Sequence, residues 1–407
     1  MNSVSSTINS QTQLSSITRV LLIICCFNTL ANSLSNIFVN VFLFRITEQF
    51  EVVALFNLVM YVAWLPSFIF AGWLSKKYSK RKTLIIGGVS QLLFYLAIFI
   101  LGESSQNYVV LLGLLFGLGS GFYWLAINVL SVDYTSEANR DWFNGVNGVF
   151  NSVSQMIGPF LSGWMIFSFQ GLTGYYFIFS LSLMIFFITI LLSFLFPLDD
   201  SEKEFYWIEM INVHRSKSWR SLTYAFMANA FRGGVLSFAI LVWVYMATEN
   251  ESSIGNFALM STTLSLVVYY LIGKYGKPNQ RLRYMLYGNI LLSIALLGLV
   301  VDVSWELLLV YGVISGICIP LFELPFHTIA LNNISNNDQN GKLRMELVVV
   351  REIALSIGRI TSVFLLFTIY LSDEHQLVYL RIFLLLLIVI GLTPHYFLRN
   401  VRDEVLK

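Results

Sequence analysis

A carboxylate and an imidazole stand in an apolar run at Ile319-Pro320-Leu321-Phe322-Glu323-Leu324-Pro325-Phe326-His327. Each proline lacks an N–H and displaces the carbonyl four residues back, so a helix here is interrupted twice. Glu323 lies between the interruptions, and His327 follows one helical turn later. An ionisable group among apolar neighbours is costly and marks a solute, ion or proton path. Glu323 is therefore the candidate proton- or ion-coupling group, with His327 beside it.

More charge is embedded nearby. Arg232, Arg351, Glu352 and Arg359 also fall in apolar runs, and Glu352, Ser356 and Arg359 share a helix face at i, i+4 and i+7. Two readings stay open. The charges form structural pairs, Glu323 with Arg351 and Glu352 with Arg359, or they line a pocket for an anionic or zwitterionic group.

The first half of the chain offers neutral amides instead. Asn28, Asn32, Asn36 and Asn40 recur every fourth residue and form one slowly drifting stripe. Asn32 and Asn36 are candidate solute contacts, while the outer pair suits hydrogen bonding between helices. Asn147, Asn151 and Gln155 make a second stripe, read as helix-to-helix glue. Tyr123, Trp124 and Asn128 either stack on a solute or fill core space. Asn229 and Arg232 complete the expected cavity set.

Other chemistries lack their residues. Cys25, Cys26 and Cys318 lie in apolar runs and read as packing, so no metal or disulfide is expected. No phosphate-binding glycine loop, zinc-protease motif or nucleophile elbow occurs. The expectation is no enzyme, no cofactor and no nucleotide. A net charge of +2 gives no reason to expect nucleic acid.

The elements that must carry these residues follow from composition. Of 407 residues, 57% are hydrophobic and 12% charged, with a mean hydropathy of +0.71. A crossing takes about 20 apolar residues. The pattern predicts twelve spans, near 18–44, 52–74, 84–102, 108–131, 143–168, 174–196, 221–247, 254–273, 282–302, 305–330, 345–371 and 377–398. Runs this long are helices, since barrel strands alternate over about ten residues. Twenty Lys and Arg fall in loops on one side and two, Arg45 and Arg381, on the other. This predicts a multi-pass inner-membrane protein with both termini cytoplasmic. Residues 1–17 read as a polar cytoplasmic tail.

The chain also repeats itself. Lys77-Tyr78-Ser79-Lys80 recurs as Lys274-Tyr275-Gly276-Lys277, Ala31-Asn32 as Ala228-Asn229, and Ile157-Gly158 as Ile357-Gly358. The expectation is a six-helix bundle over 1–197, a cytoplasmic linker over 198–220 and a second six-helix bundle over 221–407. Phe205, Ile208 and Ile211 could give the linker a short amphipathic helix.

On these residues the chain resembles the major facilitator superfamily. The loop after the second span reads Gly72-Trp73-Leu74-Ser75-Lys76-Lys77-Tyr78-Ser79-Lys80-Arg81-Lys82. The family's loop signature matches at Gly72, Lys77, Arg81 and Lys82. Lys76 stands where the family has Asp, and Ser79 where it has a second Gly. Asp133 and Arg140 resemble its acid–six–Arg spacing, and Asp133 is the expected source of the missing carboxylate. In the fifth span, Gly145, Ser154, Gly158-Pro159 and Ser162-Gly163 are similar to the family's antiporter signature. Leu34-Ser35-Asn36 and Gly121-Phe122-Tyr123-Trp124 look most like an uncharacterised Gram-positive branch of the superfamily.

The resemblance implies an all-α membrane protein with two pseudo-symmetric six-helix bundles. It implies a secondary transporter that works by alternating access and exports a small polar, anionic or zwitterionic solute, with protons as a possible partner in the bilayer. A lipid or glycolipid flippase and a non-transporting sensor are the other readings of the same fold.

Overall fold

The computed structural model describes residues 14–135, 140–169, 171–197, 204–337, 342–372 and 375–405. Among the described residues twelve long helices follow one another along the chain. Spans 1 to 6 are Ser16–Thr47, Phe50–Lys77, Lys80–Leu101, Val109–Asp133, Arg140–Ser168 and Thr173–Ser193. Spans 7 to 12 are Lys217–Thr248, Glu251–Tyr275, Arg281–Val301, Trp305–Asn337, Arg344–Tyr370 and Gln376–Val405. A short linker helix, Trp207–Asn212, lies between the sets.

Ten segments among the described residues are long and apolar enough to cross a membrane; one, Lys80–Asp133, holds both spans 3 and 4. Span 5 is the helix that falls short of that criterion, for it carries Asn144, Asn147, Asn151 and Gln155 along its 29 residues.

Local chemistry sets the turns. Span 1 starts at an N-cap where Ser15 Oγ accepts from the Thr18 amide at 3.1 Å. It ends on Glu48 in the left-handed region (φ 56°), and span 7 ends in the same way on Glu249 (φ 51°). Each amide closes back on a carbonyl, Phe44 O at 2.6 Å and Tyr245 O at 2.7 Å. A left-handed non-glycine cap costs about 1–2 kcal/mol, and both repeats carry it.

Helix contacts recur between the sets. Span 1 packs on spans 5 and 6, span 3 on spans 4 and 6, and span 2 on span 4. In the second set span 7 packs on spans 11 and 12, span 9 on spans 10 and 12, and span 8 on span 10. The sets meet mainly where span 5 lies on span 8 and span 2 on span 11, two contacts that exchange under the same relation. Two pseudo-symmetric six-helix bundles result.

Small residues let span 2 approach span 4. A Cβ on Gly121 would come within 2.8 Å of the Trp64 carbonyl, and one on Gly113 within 3.0 Å of the Phe56 carbonyl. Gly312 and Gly316 of span 10 meet span 8 in the matching place.

The two ends of the molecule differ. Opposite the basic loops, one continuous core joins both bundles. There Phe50 stacks on Tyr370 with centroids 4.3 Å apart, and on Trp243 at 6.3 Å. At the basic end each bundle keeps a core of its own. They are bridged there by a smaller cluster in which Phe68 and Ala71 of span 2 meet Val349 of span 11.

Candidate functional site

Span 10 positions the acidic end of the site. It runs seven residues past the predicted limit of 330, to Asn337. Glu323, expected about 10 Å from the basic end of its helix, therefore lies about 21 Å from it, near mid-depth. Pro320 frees the Gly316 carbonyl, and Ser265 Oγ of span 8 donates to it at 2.9 Å. That carbonyl is thus satisfied by a neighbouring helix.

The Glu323 carboxylate has two partners. Asn229 Nδ2 of span 7 donates to Oε1 at 3.2 Å, and His327 Nε2 lies 3.0 Å from Oε2. The His327 side chain is 62% exposed against 26% for Glu323, so the imidazole is the solvent-facing end of the pair. The Glu323–Arg351 pair of the structural reading does not form. Among the described residues Arg351 makes no ion pair, and its Nε is buried without a hydrogen-bond partner.

Span 11 positions the cationic end. Arg359 Nη1 donates to Glu352 Oε1 at 2.8 Å, which is the pair the i, i+7 spacing suggested. The guanidinium also lies over two rings of span 2, 5.6 Å from Tyr61 and 5.5 Å from Trp64. Arg359 thus ties the bundles together at mid-depth through cation–π contacts.

The span 1 amides divide by position. Asn28 Nδ2 donates to Gln91 of span 3 at 2.9 Å, and Asn40 accepts from Asn57 of span 2 at 2.6 Å. These outer two are structural. Asn32 donates only within its own helix, to Asn28 at 2.8 Å, and Asn32 and Asn36 are both half-buried. In span 5 Gln155 bonds Asn151 of its own helix at 2.8 Å, so that stripe is not the interhelical glue expected.

The other predicted cavity residues differ in burial. Arg232 is buried, its guanidinium 5.6 Å from the Phe322 ring and its stem against Gly391 of span 12. It packs among spans 7, 10 and 12 and lies within electrostatic reach of Glu323. Tyr123 is buried in the first bundle's core with Leu21 and Ile24. Trp124 is exposed, and its carbonyl accepts from Asn128 at 2.7 Å.

The signature residues have definite contacts. A Cβ on Gly72 would meet Val349 of span 11 at 3.2 Å and Phe205 of the linker at 3.3 Å. Arg81 donates to the Phe196 carbonyl at 3.0 Å, at the end of span 6. Lys77 and Lys82 lie over the Tyr78 ring at 5.5 and 5.8 Å. Asp133 pairs with Lys80 at 2.5 Å, so it does serve the basic loop. The Arg140 side chain lies outside the described residues.

In span 5, a Cβ on Gly158 would come within 2.7 Å of Ser33 Cβ, and one on Gly163 within 2.5 Å of the Glu251 carbonyl. The Pro159 carbonyl abuts Gly255 of span 8. Gly145 has nothing within 4 Å and makes no close contact.

Sequence reasoning missed two ion pairs that cross between bundles. At the basic end Lys76 Nζ lies 2.5 Å from Glu346 Oε1, with both side chains buried. At the other end Arg45 Nη1 lies 2.5 Å from Glu251 Oε1, which also accepts from Tyr175 Oη at 3.0 Å. The signal for the first was Lys76 itself: a cation in place of the family's acid calls for an acid opposite.

Comparison with known proteins places this geometry. A profile of the Major Facilitator Superfamily matches residues 21–340. An uncharacterised protein of Bacillus subtilis (strain 168), YqgE, is 34% identical over 349 residues, covering 85% of this chain and 81% of that protein. An uncharacterised protein from the sodM 3' region of Geobacillus stearothermophilus is 40% identical over 166 residues, covering 40% of this chain and 78% of that one. Among solved structures, a mutant of the nucleoside transporter NupG aligns at a TM-score of 0.69 and 10% identity over 94% of this chain and 99% of its own. A bacterial homologue of the iron transporter ferroportin, outward-facing, aligns at 0.63 and 16% identity over 96% and 100%. At these identities the two structures share the fold.

Proposed function

The chain belongs to the major facilitator superfamily, is a multi-pass membrane protein and has the fold of a transporter; from that premise we propose that it is a secondary active exporter of a small polar, anionic or zwitterionic solute. The observation that carries this reading is Glu323 near mid-depth, held by Asn229 and His327 in span 10. The two interruptions expected at Pro320 and Pro325 do not break this span, which runs as one continuous helix from Trp305 to Asn337. An ionisable side chain at that depth marks a solute or ion path. Arg359 offers the opposite charge on span 11. Asn32 and Asn36 add neutral hydrogen-bonding groups from span 1.

In this reading residues 1–197 and 221–407 rock about a central cavity, and 198–220 link them. The continuous core opposite the basic loops, with the smaller cluster and the buried Lys76–Glu346 pair at the basic end, supports a state in which the bundles touch at both ends. The span 5 signature supports the outward direction of transport. Glu323 couples the cycle to protons.

Reconstitution in proteoliposomes with an imposed pH gradient tests the proposal through a screen of polar solutes. Gradient-dependent accumulation of one of them is expected. Transfer of a labelled lipid between leaflets, with no solute moved, would replace this reading by a flippase.

A further inference from the structure

Span 2 and the linker helix border a shallow open groove of about 400 Å³ lined by Pro66, Ile69, Phe70, Trp73 and Trp207. Every lining side chain is apolar or aromatic. The groove follows span 2 from Pro66 to Trp73, about 10 Å along the helix axis, and Lys77 stands one turn beyond it. Its upper end is cationic. Lys77 Nζ lies 5.0 Å from the Trp73 ring and 5.5 Å from Tyr78, and Lys82 Nζ lies 5.8 Å from Tyr78. Both lysines are exposed, and among the described residues neither has a carboxylate within ion-pair distance.

An apolar slot beneath two unneutralised ammonium groups, with indole rings at the boundary, is complementary to an anionic lipid. A fatty chain fills the slot, and a phosphate neutralises the lysines. A soluble anion would leave the slot empty, and an uncharged lipid would leave the lysines uncompensated. The linker helix adds exposed Ile208 and Ile211 beside Trp207, a surface fitted to the membrane interface.

We propose that this groove is a binding site for one anionic phospholipid, its acyl chain against Phe70, Trp73 and Trp207 and its phosphate on Lys77 and Lys82. The site touches the transport machinery. Trp207 packs on Phe205 with centroids 4.5 Å apart, and Phe205 covers Gly72 and lies 5.7 Å from Lys76 Nζ. A bound lipid braces the linker over the Lys76–Glu346 pair and favours the state in which spans 2 and 11 stay joined at the basic end.

The test is native mass spectrometry of the full-length chain in detergent, titrated with phosphatidylglycerol or with phosphatidylcholine of the same acyl chains. One phosphatidylglycerol should bind in preference to phosphatidylcholine. Removing both charges in Lys77→Gln with Lys82→Gln should weaken it roughly thirtyfold. Trp207→Ala, an exposed change on a six-residue helix, should weaken both lipids and leave folding intact. Hydrogen exchange over 204–212 should slow on adding phosphatidylglycerol to the parent and not to the double variant. Equal affinity for the two lipids, or an affinity unchanged in both variants, would overturn the proposal. So would displacement of the lipid by inorganic phosphate at equal concentration, which would leave no role for the groove.

Discussion

Lys76 of span 2 grips Glu346 of span 11 across the two bundles, nitrogen to oxygen 2.5 Å, beneath the linker. The Tyr206 amide donates to the same Glu346 oxygen at 2.9 Å, and Lys76 donates to the Glu204 carbonyl at 3.1 Å. The linker is thereby strapped to both partners. Removing one member of a buried pair strands the other, at a cost of about 3–5 kcal/mol. Lys76→Gln and Glu346→Gln should each lower the melting temperature and part spans 2 and 11 in spin-label distance measurements. Exchanging the charges, Lys76→Glu with Glu346→Lys, should recover much of both losses. A double variant no better than the worse single one would show that the pair is not what holds this end.

The Arg45–Glu251 pair is the counterpart at the opposite end, and it is more exposed on its cationic side, 31% against 8% for Glu251. Glu251 also takes the Tyr175 hydroxyl, so losing the carboxylate breaks two contacts and losing the hydroxyl breaks one. Distances between labels on spans 1 and 8 should lengthen most in Glu251→Gln and less in Tyr175→Phe. Arg45→Gln should fall between them. The reverse order would place the closure in the aromatic packing around Phe50 instead.

Three span 5 glycines of the family signature should give three different outcomes. Gly158 meets Ser33 of span 1 inside the first bundle, and Gly163 meets Glu251 and Gly255 of span 8 across the bundles. Gly158→Leu should therefore overpack the first bundle and destabilise it by about 1–3 kcal/mol. Gly163→Leu should leave each bundle folded and stop transport by wedging the contact between them. Gly145→Leu should do neither, since nothing lies within 4 Å of it. Melting temperature and proteoliposome uptake separate the three. Loss of uptake in Gly145→Leu would mean that its surroundings close during the cycle.

Much of this fold was legible because lipid leaves a chain few options. Apolar runs marked the helices, span 5 least clearly because of its amides, and the repeat carried real contacts. Ser33 and Gly158 touch, and so do Ala230 and Gly358, the residues that stand in the matching places of the second bundle. The helix ends were less legible, since spans 7 and 10 extend beyond their apolar windows into polar sequence. Partner choice was legible only at short range. Glu352 and Arg359 lie seven residues apart on one helix face, and their pairing was one of the two readings the sequence left open. Glu323 and Asn229 are separated by 94 residues, and no spacing rule reaches that far. Arg232 shows the remaining difficulty: a charge in an apolar run suggests a cavity, yet its guanidinium lies against Phe322 and its stem against Gly391.

Glu323→Gln distinguishes coupling from architecture. Had Glu323 neutralised Arg351, as one reading of the sequence required, the variant would strand a buried cation and unfold. The partners in the structure are an amide and an imidazole, and a glutamine can keep hydrogen bonds to both. The altered hydrogen bonds should cost about 1 kcal/mol, and losing the charge that faces buried Arg232 should add to that cost. Adding Arg351→Gln should give no rescue, because there is no pair to relieve. Transport should respond differently. Solute exchange between equal pools needs no net proton movement and should persist. Accumulation against a gradient needs a group that takes up and releases the proton, and it should be lost. His327→Gln should slow accumulation without abolishing it, since the imidazole is the exposed end of the pair and Glu323 remains. Full gradient-driven accumulation by a stable Glu323→Gln protein would remove Glu323 from the coupling step and leave it a structural acceptor for Asn229.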